Sequence, residues 1–245
     1  GGVALIGAAL ALAIVVIALT LFVKDVPPVV FSFNDYNQDL KKPDVLLLIA
    51  VVFVLGTHFG AEQTSISLLM KEVIGLKTTD IGRVFFVLGI WMAILVPFAG
   101  RHLDKKDSVF VLLLLGLVIS SVFQIVTAFT QTFLGLVMVR MIHTAGDTLA
   151  ILETDVLTGR FFPAARLGGS SGLLFFVRTA AIFIFAAVSG WLNQIWGYKI
   201  PFLVNGIMVL AFALIILMLR GRNSSGRTVW PRSPAANLPG GKNSG

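Results

Sequence analysis

The chain has 245 residues, of which 57% are hydrophobic and only 13% charged. Soluble domains average about 45–50% apolar and about 25% charged, so the composition implies an integral membrane protein. Most of the residues behind its net charge of +7 flank apolar segments, which fits the positive-inside rule better than a nucleic-acid partner. The absence of cysteine excludes disulfides, Cys-ligated zinc and thiol catalysis.

A membrane-spanning helix needs about 20 mostly apolar residues, and seven segments are predicted to meet that. The first is 3–23, followed by a polar stretch, 24–44, that reads as a loop. The second is 45–70, and a connection over 71–80 carries Gly75 and an expected N-cap at Thr79 or Asp80. The third, 81–100, is joined to the fourth, 108–129, by a charged turn from Arg101 to Asp107. Thr130-Gln131-Thr132 is a minimal turn before the fifth segment, 133–157, which ends near Gly159, Arg160 and Pro163. The sixth is 167–192 and the seventh 201–219, separated by Gly197 and Pro201. Gly168, Gly169 and Gly172 are expected to permit close helix packing. The tail, 221–245, rich in Gly, Ser, Pro, Asn and Arg, is expected to be disordered. Apolar runs without period-2 alternation do not suit a β-barrel. The opening residues lack the basic stretch of a signal peptide, so the chain is expected to start inside a longer protein or after processing.

Thirteen Lys and Arg residues fall on one side of this layout, among them Lys24, Lys41, Lys42, Arg101, Arg160, Arg166 and those of the tail. Four, Lys71, Lys77, Arg83 and Lys199, fall on the other. The bias predicts a cytoplasmic 24–44 loop and a cytoplasmic C-terminus.

Two of the apolar segments carry a histidine and an acid four residues apart: His58 with Glu62, and His143 with Asp147. That spacing places each pair on one helix face. His58 falls about 20 Å into its segment, near the middle of a core about 30 Å thick. Ser65 extends the first stripe, and Arg140, Thr144 and Thr154 the second. Ionisable groups at such depth are costly and mark ion or substrate pathways by default. Glu62 and Asp147 are therefore candidates for proton binding, His58 and His143 for proton relay, and Arg140 for holding an anionic group or balancing Asp147. The purely structural alternative is internal pairing, Arg140 with Asp147 and His58 with Glu62. Arg178, midway along the sixth segment, either meets a carboxylate or faces a second half of the protein. Asn193, Gln194 and Asn205 are expected near the outer interface.

The turn Gly100-Arg101-His102-Leu103-Asp104-Lys105-Lys106 resembles the G-x-x-x-D-(R/K) signature of the major facilitator superfamily. Gly190-Trp191 and Gly197-Tyr198-Lys199-Ile200-Pro201-Phe202 resemble the stretch at the end of that family's eleventh helix, and Thr79-Asp80-Ile81-Gly82 the start of its eighth. Lys105 replaces the usual Arg. The resemblance covers about residues 1–220 and implies the C-terminal half of such a transporter: 1–23 as helix six, 24–44 as the central cytoplasmic loop, and 45–220 as a six-helix bundle. It further implies a missing N-terminal half, since transport sites of this kind lie between repeats. In the signature turn Gly100 would allow a tight turn and close helix approach. Asp104 would sit near the start of the sixth segment, where an anion is favoured. Glu153 or Asp155 would pair with Arg101 or Arg160 to latch the cytoplasmic mouth.

Together these features predict an all-α polytopic membrane bundle acting as a secondary transporter, proton-coupled and not an enzyme, in the cytoplasmic (inner) membrane of a bacterium. Its partners would be the lipid bilayer, protons, a small solute or drug-like molecule and the missing half. No cofactor, resident metal or nucleic acid is expected. Two alternatives stay open: transport of a divalent metal, which imidazoles and carboxylates suit, and a receptor or scaffold with the same fold.

Overall fold

The computed structural model describes residues 2–22, 33–103 and 109–222, and every regular element among them is helical. In lipid each backbone polar group must be satisfied within its own segment, which leaves a helix as the outcome for such long apolar runs. α1 (Gly2–Phe22) is a unit by itself. The second unit holds α2 (Phe33–Leu40), α3 (Pro43–Leu68), α4 (Thr78–Leu103), α5 (Val109–Thr127), α6 (Phe133–Phe161), α7 (Leu167–Trp196) and α8 (Ile200–Arg222). A π-helical turn, Leu69–Val73, extends α3, and a 3-10 turn, Ala164–Arg166, leads into α7.

Six helices among the described residues, α3 to α8, are long and apolar enough to cross a membrane. The chain is thus a helical integral membrane protein. α1 is helical where the first span is expected, but its apolar part, Ala9–Phe22, is shorter than those six. Two other expectations need correction. The 24–44 stretch is not all loop, because Phe33–Leu40 forms a helix that ends three residues before Pro43. α4 starts at Thr78, ahead of the expected cap, with the Lys77 carbonyl accepting from the Asp80 and Ile81 amides. Asp104 and Lys105 of the signature turn, and the tail from residue 223, lie outside the described residues.

The helix neighbours form a regular pattern. α3 packs on α7, α6, and α8; α5 on α6 and α8; α4 on α6. Exchanging α3 with α6, α4 with α7, and α5 with α8 turns α3–α7 into α6–α4 and α5–α6 into α8–α3, while α5–α8 and α3–α6 map onto themselves. The match is partial, because α7 also packs on α8 while α4 and α5 have no comparable contact. If every helix crosses the membrane, three crossings make α3–α5 and α6–α8 run in opposite senses.

Glycines set the two tightest seams. A Cβ on Gly56 would lie 2.5 Å from the Arg178 carbonyl oxygen, and one on Gly60 2.5 Å from that of Ile182. These fix α3 against α7 backbone to backbone. On the other side a Cβ on Gly146 would lie 2.5 Å from the Ser120 amide nitrogen, and one on Gly116 2.8 Å from the Gly146 carbonyl, joining α5 to α6. The glycines expected to serve packing do so only in part. Gly168 and Gly172 have open space where a Cβ would go, and Gly169 makes room for the Tyr36 side chain of α2. Gly100 also faces open space, inside α4 rather than at a turn.

The core is layered. One apolar cluster includes Leu48, Leu55, Leu113, Leu117, Leu157 and Val209, and a second includes Leu69, Met70, Leu136 and Phe202. Along α3, α5, α6 and α8 a band of buried polar residues separates the two: His58 and Ser65, Ser120 and Gln124, Arg140 to Thr148, and Asn205.

Candidate functional site

The polar band is assembled at the helix midpoints. His58 is the central residue of the Pro43–Val73 span and Asp147 that of Phe133–Phe161. His58 and His143 are both fully buried. Their rings stack with centroids 5.0 Å apart and 17° between planes, and their Nε2 atoms meet at 2.9 Å. Ser120 of α5 donates to Asp147 Oδ1 at 2.6 Å and stands 3.1 Å from His58 Nε2. Asp147 lies 3.4 Å from His58 Nε2 and 3.2 Å from His143 Nδ1. Glu62 Oε1 is 3.8 Å from His143 Nδ1 and forms an ion pair with Arg140. Arg140 also donates to Gln124 Oε1 at 3.3 Å.

The network assigns the protons. Asn205 of α8 donates through Nδ2 to Thr57 Oγ1 at 3.3 Å, which turns its carbonyl oxygen to His58 Nδ1 at 3.0 Å. His58 must then donate through Nδ1, and in its neutral form its Nε2 carries a lone pair. His143 Nε2 must in turn be the donor of the histidine–histidine bond. A neutral His143 would leave a second lone pair on Nδ1, facing the carboxylate oxygens of Asp147 and Glu62. A proton at that atom converts repulsion into a charge-assisted contact. His143 Nδ1 thus stands between two carboxylates, Asp147 at 3.2 Å and Glu62 at 3.8 Å.

Of the residues picked out in the sequence, His58, Glu62, Arg140, His143 and Asp147 come together here. Their pairing differs from the internal alternative. Arg140 reaches across to Glu62 of α3 instead of along its own helix to Asp147, and His58 meets His143 and Asp147 instead of Glu62. Three members were not foreseen. Ser120 and Gln124 lie four apart on α5, a polar stripe in an otherwise apolar helix that could have been read as a partner face. Asn205, expected at the interface, is fully buried. Asn193 is likewise buried and exchanges hydrogen bonds with Ser65 at 3.0 and 3.3 Å, making a second polar bridge between α3 and α7.

The remaining candidates lie elsewhere. Arg178 and Asp155 line a cavity of about 500 Å³ bounded by α3, α6 and α7. Glu153 is fully buried, and neither of its carboxylate oxygens has a hydrogen-bond partner. Among the described residues no ion pair joins Glu153 or Asp155 to Arg101 or Arg160, so the expected mouth latch is not formed by these residues. A different contact occupies that end of the bundle. Asp39 of α2, almost fully buried, accepts from Lys42 Nζ at 2.6 Å and from Arg166 Nη2 and Nε at 2.7 and 3.2 Å. Burial would raise the Asp39 carboxyl, but the hydrogen bonds and charges of Lys42 and Arg166 outweigh it and hold the group below its usual range.

No protein-family model matches this chain, and no curated protein is detectably similar to it. The functional reading therefore rests on the geometry of the site.

Chemically, the cluster can hold and pass a proton among two imidazoles and two carboxylates without contact with water. Four of its ligand atoms, from His58, Glu62, His143 and Asp147, lie within 4.8 Å of one another, close enough to converge on a metal ion as well.

Proposed function

We propose that this chain is the C-terminal half of a proton-coupled secondary transporter of the major facilitator type, moving a small solute by alternating access. The observation that carries the reading is the buried His58–His143–Asp147 chain, tied to Glu62 and Arg140 at the midpoints of α3 and α6. Two supports stand beside it. Much of the six-helix contact pattern maps onto itself when α3–α5 and α6–α8 are exchanged, and transporters of this class bind at the midplane between repeats. Apolar layers lie above and below the polar band, so a proton bound there is insulated from either side until the helices move. α4 and α7, which bury only 11% and 17% of their apolar windows, leave faces for lipid and for an N-terminal half. In this reading α1 serves as a further span, and the chain sits in a cytoplasmic membrane with α2 and its Lys and Arg neighbours on the inside.

The coupling step follows from the hydrogen bonds. With His143 Nδ1 protonated, Glu62 of α3 is drawn toward α6, beside Asp147 of the same helix, and the Arg140–Glu62 pair is supported. Loss of that proton sets a lone pair against two carboxylates, and α3 is pushed from α6. Uptake of radiolabelled solutes into proteoliposomes holding the full-length protein, with and without an imposed pH gradient, tests this. Asp147→Asn and His143→Gln should abolish gradient-driven accumulation while substrate exchange at equal pH persists. Full accumulation in both variants would overturn the reading.

The convergence of four ligand atoms favours a second reading, transport of a divalent metal. Against it, Arg140 already neutralises Glu62, and both histidine Nε2 atoms are spent on each other. Tight zinc or manganese binding by the purified protein, lost in His58→Gln, would reverse this ranking.

A further inference from the structure

The proton cluster leaves Arg178 unused. Arg178 lies midway along α7, and no hydrogen bond or ion pair of it is found among the described residues; its Nε is buried without a partner. It faces the cavity of about 500 Å³ between α3, α6 and α7, within the range of ligand-binding pockets, about 300–1,000 Å³. Asp155 lines the same cavity from α6, close enough to act electrostatically on Arg178 yet without an ion pair within 4 Å. Thr154, Thr158 and Ser171 add hydroxyls, and Val52, Leu174 and Phe175 an apolar wall.

Opposite charges that share a low-dielectric cavity gain strongly by closing on each other, and a guanidinium left unpaired in a membrane helix is costly. The Gly56 seam places the Arg178 backbone against α3. Arg178 and Asp155 thus line one cavity with opposite charges and no ion pair within 4 Å.

We propose that this cavity binds a small zwitterion, its carboxylate or other oxyanion on Arg178 and its ammonium on Asp155. Arg178 suits an oxyanion because its planar fork donates in parallel. Asp155 rejects a simple anion and recognises a cation. The hydroxyls take up remaining donors, and the apolar wall accommodates a short carbon chain. The inference rests on the transport reading only in calling the zwitterion the transported solute. An anionic lipid headgroup offers Arg178 the same oxyanion chemistry but leaves Asp155 unmatched.

The test is equilibrium binding to the full chain in phosphatidylcholine nanodiscs, read as the rise in unfolding temperature with added γ-aminobutyrate, butyrate or butylamine. γ-Aminobutyrate should bind at least tenfold more tightly than either single-charge probe. Arg178→Gln and Asp155→Asn should each weaken it at least tenfold, while Arg178→Lys retains part of the affinity. Unchanged γ-aminobutyrate binding in Arg178→Gln would overturn the proposal. So would no response to any probe, or stabilisation only by phosphatidylglycerol in the disc, which would assign Arg178 to lipid. Failure of binding with proton coupling intact sinks this inference alone. Failure of coupling with binding intact sinks the transport reading and leaves the zwitterion site standing.

Discussion

Arg140 and Arg178 are both arginines inside membrane helices, and they are held in opposite ways. Arg140 is 5% exposed, paired with Glu62, bonded to Gln124 and enclosed in a network that spans four helices. Arg178 is half-buried, lines a cavity and makes no ion pair among the described residues. The first charge is satisfied by the protein, and so belongs to its internal machinery. The second has only the field of Asp155 among the described residues, which is why a ligand is proposed for it. Residue type is the same in both; the supply of partners distinguishes them.

The comparison can be broken most directly at Arg140. Removing one member of a buried ion pair strands the other, typically at a cost of about 3–5 kcal/mol. Arg140→Gln should lower the stability of the purified protein by about that amount, and adding Glu62→Gln should recover part of it in a double-mutant cycle. Equal destabilisation by the single and double variants would show that the pair is not coupled. The packing that encloses this network is the next target. A side chain at Gly146 must enter the Ser120 backbone, so Gly146→Leu should cost about 3 kcal/mol through overpacking. Gly172→Leu, which meets open space, should cost little by the same unfolding measurement.

A third arginine, Arg166, gives an intermediate case outside the spans. Asp39→Asn should destabilise the α2 contact by about 2 kcal/mol, the scale of charge-assisted hydrogen bonds. Because the folded carboxyl lies below its ordinary value of 3.8, the contact contributes fully above that pH and is lost as pH falls through the lower folded value. Amide exchange across α2 should therefore differ between wild type and Asp39→Asn at pH 7, and the difference should shrink on acidification below about pH 4. A difference that grows with acid would contradict the sign. The smallest effect belongs to Arg178→Gln. With no partner stranded, its stability should stay within about 0.5 kcal/mol of wild type. A loss comparable with that of Arg140→Gln would erase the distinction between the two arginines.

Much of this was legible in the sequence. Six spans follow from apolar length, and the five ionisable residues of the cluster follow from helical spacing at a common depth. What stayed hidden depends on which helices become neighbours. Spacing places Arg140 and Asp147 on one stripe, but only the approach of α3 to α6 makes Glu62 the closer partner. Asn205 lies in the first turns of α8, which suggests an interface; packing on α3 brings it to His58 instead. Glycine gave the least reliable signal. Gly168 and Gly172 look like a packing motif and face open space, whereas Gly56 with Gly60 has the same spacing and forms the α3–α7 seam. A glycine's role is set by what stands opposite, which one strand of sequence does not state.

Those seams bear on how the bundle could move. Where two backbones touch with no side chain between them, neither helix can roll or slide without its neighbour. α3 is thereby bound to α7, and α5 to α6, as two rigid struts. The histidines and carboxylates lie where one strut meets the other, His58 and Glu62 on the first, Ser120, Arg140, His143 and Asp147 on the second. In the proposed mechanism a single proton at that joint would therefore act on the placement of four helices at once, and the stiffness of the glycine contacts would carry so small a cause to the two faces of the membrane.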